Sequence, residues 1–255
     1  MYKRQLDTLG EDETIARLAT GVKRFKLLDE HNFIKLLQQV AEERDSKSTP
    51  ARDVQALTNL AHVFENRRQY PRAAEYWRKA VERTSGDERE NYQRRLKQIV
   101  GNWGQFETVM SQPAGRGATA EFRFRNAKHV DFVAHEIKIA LLLADVKAYL
   151  KSKPKQLDWE RMNIGDIGYM LVQENGRKYI GGEVANWKLG LEPSDKHFDQ
   201  RMTVTTPLQK AGAYLVTAKL ADGNTSRIIL WLSDTAIARK PMEGKSRYFV
   251  ACLLY

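Results

Sequence analysis

The sequence contains a single cysteine, Cys252, which excludes an internal disulfide framework and a cysteine-based zinc site. No apolar run reaches the roughly 20 residues of a membrane-spanning helix, so no membrane insertion is expected. The N-terminus, MYKRQLDTLGEDET, lacks the apolar core of a signal peptide. A dense basic run is also missing, although the net charge is +10. The excess is spread as +3 over residues 1–113 and +7 over residues 114–255, with acidic residues interspersed. That dispersion describes a solvated basic surface, and nucleic acid is not an expected partner. Phosphate and hydrolase signatures are absent: neither G-x-x-x-x-G-K-[ST] nor G-x-S-x-G occurs. Gly115-x-Gly117 is too short for a dinucleotide loop and leads into a strand pattern.

What remains is an ordinary globular composition, 42% hydrophobic and 29% charged over 255 residues, enough for one large domain or two smaller ones. The hydrophobic period changes at Ser111–Ala118, SQPAGRGA. Before it the pattern is helical. Ile15, Leu18, Ala19 and Val22 fit one amphipathic face, and Phe33, Leu36, Leu37 and Val40 another. Asp45–Asp53 reads as a polar loop around Pro50, Ser85-Gly86-Asp87 as a break, and Tyr92, Leu96, Ile99 and Val100 as a helix ending near Gly101. After it, alternation predicts six to eight short strands. Phe122 and Phe124, Val130 and Phe132, Trp187, Leu189 and Leu191, and Tyr214, Val216, Ala218 and Leu220 mark their inner faces. Asp222-Gly223-Asn224 predicts a hairpin into Ile228, Leu230 and Leu232. Asn175-Gly176 predicts a second hairpin, between Met170–Val172 and Tyr179–Ile180. One helix interrupts the strands, with Ile139, Leu142, Leu143, Val146 and Leu150 on one face and Pro154 beyond its end.

The stretch Ala56–Glu82, ALTNLAHVFENRRQYPRAAEYWRKAVE, resembles a tetratricopeptide-type helical hairpin. Leu57, Leu60, Ala61 and Phe64 form one stripe, Tyr70 marks the turn, and Ala73, Trp77 and Ala80 form the facing stripe. Such a hairpin cannot bury its apolar faces alone and is a device for holding protein. In this repeat type the first helix lines a concave groove. The positions that map there are Gln55, Thr58, His62, Glu65 and Asn66, a candidate protein-binding set set against the plainer reading of a solvated helix face.

The second half resembles the first macroglobulin-like domain of bacterial alpha-2-macroglobulin-like proteins. Ala211–Pro241, AGAYLVTAKLADGNTSRIILWLSDTAIARKP, followed by Tyr248-Phe249-Val250-Ala251, carries the resemblance. Asp145–Trp187 is similar to that family's helix-and-strand insertion, and Gly21–Gln39 with the helical hairpin resembles the segment preceding this domain. The family's thioester motif is missing, and Cys252 is followed by Leu253-Leu254-Tyr255, so covalent trapping is not expected. The resemblance implies an extracytoplasmic home, periplasmic or surface-attached, whereas the signal-free N-terminus leaves the cytoplasm open. A fragment or a truncated gene product is the simplest reading of the chain's end.

The expected fold is α+β and multidomain: a helical, tetratricopeptide-like region at 1–112, then an antiparallel macroglobulin-like β-sandwich with an inserted helix at 118–241, then the start of a following domain at 242–255. No catalytic residue, cofactor or metal is expected. His129, Asp131 and His135 would share one strand face, but an ordinary polar face is the simpler reading. His135-Glu136 lacks the second histidine of a helix-borne zinc site. The expected function is non-enzymatic, a scaffold piece of an alpha-2-macroglobulin-like peptidase inhibitor working through protein contacts. The alternative is a free-standing tetratricopeptide-type adaptor. A metal- or carbohydrate-handling enzyme would need convergent His, Asp or Glu residues that the sequence does not assemble. The inhibitor reading predicts an exposed apolar patch near Tyr248–Tyr255 and a tendency to associate.

Overall fold

The computed structural model describes residues 6–43, 51–152, 166–172 and 174–252. Pro50, Pro154, Trp159 and Leu253–Tyr255 lie outside the described residues, while residues 51–53, expected to end the polar loop, are helical. The chain forms two compact units, Met1–Gly101 with Ser194–Phe198, and Asn102–Pro193 with Asp199–Tyr255.

The first unit opens with a hairpin, β1 (Glu13–Leu18) against β2 (Gly21–Lys26), where the periodicity predicts a helix. Two features favour the strands. Thr14, Ile15 and Val22 are β-branched, which suits a pleated surface. Gly21 has φ 114°, a turn conformation closed to other residues and costly inside a helix. Four helices follow: α1 (Phe33–Glu42), α2 (Ala51–Asn66), α3 (Tyr70–Glu82) and α4 (Gly86–Val100). Asn32 caps α1, its side chain accepting from Lys35 N at 3.1 Å. The helix is rotated from its expected orientation. Ile34 and Ala41 are buried with Leu37 packed beside them, while Phe33, Leu36 and Val40 are exposed. Both stripes have helical spacing, and only the neighbouring helix decides which faces inward. The α2–α3 core falls where the sequence places it: Leu57, Leu60, Ala61, Phe64, Ala73, Trp77 and Ala80 are buried. Phe64 stacks on Tyr76 at 5.4 Å, and Trp77 meets Tyr92 at 5.6 Å.

The α2–α3 turn has a second task. Arg67, itself buried, donates to the carbonyls of Gly10 (2.8 Å) and Glu13 (2.7 Å). Gln69 donates to the carbonyl of Leu9 at 2.7 Å. These side chains satisfy backbone acceptors of an otherwise irregular segment. Burial pushes the Arg67 guanidinium below its usual range, with Glu11 opposing.

The second unit has three layers. One sheet, in the order β3 (Trp103–Phe106), β5 (Thr119–Arg125), β8 (Gln200–Thr205), faces a larger one. The larger sheet has the order β4 (Gln112–Pro113), β10 (Thr225–Ser233), β9 (Gly212–Lys219), β6 (His129–Ile137), β7 (Ile180–Gly190). Its pairings are antiparallel except for β4 with β10. Phe122, Phe132, Val216 and Leu230 fill the space between the sheets, as the alternation predicts, together with Phe106 and Val204.

The other face of the larger sheet is not solvated. Helices α5 (Ile139–Lys151) and α6 (Ile167–Val172) and a 3-10 turn (Glu174–Tyr179) cover it, burying Ile137, Leu142, Tyr149, Leu171, Tyr179, Leu215 and Ile229. Strand β9 is therefore buried on both faces from Ala213 to Ala218. The expected Asn175-Gly176 hairpin is absent: Met170–Val172 is helical and the Asn-Gly pair lies in the 3-10 turn. Gly176 is there for close approach, since a Cβ would stand 2.6 Å from Leu171 Cα and Met170 O. The predicted Asp222 turn is present, with Asp222 at φ 54°.

Beyond the layers, β11 (Thr235–Met242) and β12 (Lys245–Cys252) form a separate two-stranded sheet.

Candidate protein-contact surfaces

Structure divides the five candidate groove residues on α2. Gln55, His62 and Asn66 are exposed, Glu65 is half-buried, and Thr58 is buried. Thr58 Oγ1 donates to the Gln55 carbonyl at 3.0 Å, so its hydroxyl is spent within the helix. Glu65 Oε1 accepts from the buried Trp77 indole Nε1 at 2.7 Å, and Glu65 Oε2 lies 3.5 Å from His62 Nδ1. His62 packs edge-on to Trp77 at 5.1 Å. These three residues form one local constellation whose evident work is to satisfy a tryptophan that would otherwise bury an unpaired donor. Gln55 bonds Asn59 Oδ1 at 3.0 Å along its own helix.

On β6, His129, Asp131 and His135 do not converge. Asp131 faces Lys188 at 3.6 Å, and the register shifts between Ala134 and His135. Among the described residues no group of three His, Cys, Asp or Glu side chains could hold a metal ion. A tighter polar cluster, invisible to motif reading, ties α5 to the 3-10 turn within the helix layer. Asp145 Oδ2 accepts from Lys178 Nζ (2.6 Å) and from Tyr179 OH (2.9 Å). The bond from Lys178 holds the Asp145 carboxyl below its usual range and raises Lys178 in turn, while burial pushes the Tyr179 phenol up. The cluster joins elements 34 residues apart and sits over an apolar core, which makes it a structural clamp.

Apolar side chains are also displayed on the β11–β12 hairpin. Ile237, Tyr248, Phe249 and Val250 are between 52% and 68% exposed, so both faces of the sheet carry uncovered large side chains. Tyr248, Phe249 and Val250 fall in the Tyr248–Tyr255 stretch where the inhibitor reading expects an exposed apolar patch, and Ile237 of β11 pairs beside Val250. Alternating strand residues normally give one wet and one dry face. Here Tyr248 and Val250 lie on one face and Phe249 on the other.

No protein-family model matches the sequence, and no curated protein matches it. Among solved structures, 60% of the chain aligns with 45% of a crystal structure of native alpha-2-macroglobulin from Escherichia coli spanning domains MG0-NIE-MG1, at TM-score 0.42 and 16% identity. It also aligns with 71% of a shorter Escherichia coli piece spanning NIE-MG1, at TM-score 0.41 and 17% identity. A crystal structure of a Salmonella alpha-2-macroglobulin mutant aligns at TM-score 0.38 and 15% identity, with 8% of that chain covered. The chain thus spans less than half of the three-domain piece and a small part of a whole alpha-2-macroglobulin. At these scores the likeness stops short of a common family or a common function.

Proposed function

We propose that this chain is a non-catalytic scaffold that works through protein contact, as the N-terminal piece of an alpha-2-macroglobulin-like peptidase inhibitor. The observation that carries the contact reading is the β11–β12 hairpin, with four large apolar side chains more than half exposed. Three of them, Ile237, Tyr248 and Val250, share one face, and an apolar display of this kind marks a surface that another polypeptide covers. The residues of the sequence resemblance, Ala211–Pro241 and Tyr248–Ala251, fall on β9, β10, β11 and β12, the strands that lead from the sandwich core to this surface. In this reading the partner is a neighbouring β-rich domain, the chain holds no cofactor, and its location is extracytoplasmic.

The adaptor alternative, with the helical groove as binding site, has less support. Two of its five residues, Thr58 and Glu65, are engaged inside the helical unit.

Light scattering across a concentration series tests the contact reading. The full chain is expected to associate reversibly, and the double variant Tyr248→Lys, Val250→Lys to remain monomeric with an unchanged circular dichroism spectrum. Monomeric behaviour of the unmodified chain at millimolar concentration would count against it.

A further inference from the structure

A second surface comes from the edge of the larger sheet. In the β9–β10 ladder the Asn224 carbonyl accepts from Leu220 N, so even-numbered residues of β10 turn their backbone groups toward β9. Odd-numbered residues turn theirs outward. At one end of that outer edge the partners are present: the Ser233 carbonyl accepts from Ala114 N at 2.9 Å, and the Trp231 carbonyl from Ser111 Oγ at 3.4 Å. At the other end β3 is tied on by side chains, Asn224 to both Gly104 N and O (2.9 and 2.8 Å) and Ser226 Oγ to Phe106 N (3.0 Å). Glu107 N still donates to the Glu121 carbonyl of the smaller sheet at 2.8 Å, and from Thr108 to Met110 the chain belongs to no strand before β4 begins. The outward N–H and C=O groups of Arg227 and Ile229 consequently find no backbone partner among the described residues.

That gap is a groove, not a flat edge. A cavity of about 560 Å³ lies over it, with Thr108 and Val109 on one wall, Gly168 and Tyr169 of α6 on the other, and Ile229 and Trp231 along the floor. The stretch from Ser226 to Trp231 measures about 17 Å at a strand's rise per residue. A small molecule would leave these alternating donors and acceptors only partly satisfied. An extended backbone meets them in register. The floor is basic at one end, where exposed Arg227 also borders a neighbouring cavity with His135 and Arg177.

We propose that this groove binds an extended peptide segment of a partner protein by adding it to the β10 edge, with apolar residues at alternate positions and an acidic residue where it passes Arg227. The site is separate from the β11–β12 surface, and either can fail without the other.

The test pans a phage-displayed random heptapeptide library on the full chain, then measures the selected peptide in synthetic form. Binding is expected to slow amide hydrogen exchange at Arg227 and Ile229 by about tenfold or more. Two variants fill the groove from opposite walls. Gly168→Phe is expected to leave the fold intact, because among the described residues a Cβ there meets only Asp166 Oδ1, at an ordinary 3.6 Å. Thr108→Trp starts from an exposed position. Each is expected to weaken binding at least tenfold while leaving the unfolding midpoint unchanged. The proposal is overturned if no peptide is selected, if the selected peptide leaves both amides exchanging at their free rates, if both filled variants bind as tightly as the parent, or if both amides are already protected in the unliganded monomer.

Discussion

Hairpins β9–β10 and β11–β12 follow one another in the same unit and are built alike, each paired antiparallel over eight positions. Their surroundings are opposite. The first is enclosed between the smaller sheet and the helix layer, with Leu230 1% exposed. The second carries Val250 at 68%. Composition explains part of this, since β11–β12 carries Arg239, Lys240, Lys245 and Arg247, yet Tyr248-Phe249-Val250 is a large apolar run that stays exposed. Backbone pairing makes a strand, whereas burial requires a layer on each face, and only β9–β10 has both. An apolar ladder without its layers leaves large side chains in water, which is the basis of the contact reading proposed above.

The comparison breaks first in the core. Leu230→Ala removes a fully enclosed side chain and is expected to cost about 2–5 kcal/mol in urea unfolding. A loss under about 1 kcal/mol would mean that the sheets are not packed as described. Asn224→Ala comes next. It leaves the Gly104 N–H and C=O beside β10 without their side-chain partner, at an expected cost of about 1–3 kcal/mol.

The helix layer gives a smaller, pH-dependent signal through Asp145. Its carboxyl titrates lower in the folded chain than in the unfolded one, so its contribution is present above the unfolded value, about pH 4, and is lost as pH falls through the folded value. Asp145→Asn should therefore unfold earlier than the parent at pH 7, and the two should converge in acid. Lys178 titrates higher when folded, so its share is present below about pH 10 and lost above it. A deficit of the variant that persists unchanged at pH 2 would exclude the ionic clamp. Val250→Ala lies at the other extreme and is expected to shift stability by no more than about 0.5 kcal/mol.

Much of this architecture was legible in the sequence where one signal dominated. Strict alternation placed β5, β6, β9 and β10, the Asp222-Gly223 turn joined the last two, and small residues facing large ones placed the α2–α3 core. The readings that failed were those with two physical solutions. Ile15–Val22 satisfies both a helical stripe and a pleat, and Gly21 at positive φ settles it. Helix α1 has two apolar stripes, and its partner helix selects the one with Ile34. Met170–Val172 is a short apolar run that periodicity cannot assign, and it became the end of α6, with Met170 and Leu171 in the core and Val172 lining the groove. Neither Thr58 nor Glu65 announces in sequence that its polar atoms are used internally. The open edge of β10 depends on where the segment after β3 leaves the sheet, which no local pattern encodes.

The most direct test of the central claim is amide hydrogen exchange followed by mass spectrometry at low and high protein concentration. The prediction is that peptides from β9–β10 are strongly protected at both concentrations, while β11–β12 peptides exchange rapidly when dilute and become protected as the chain associates. Association that protects another surface and leaves Thr235–Cys252 exchanging as fast as before would contradict the assignment of this hairpin as the contact face.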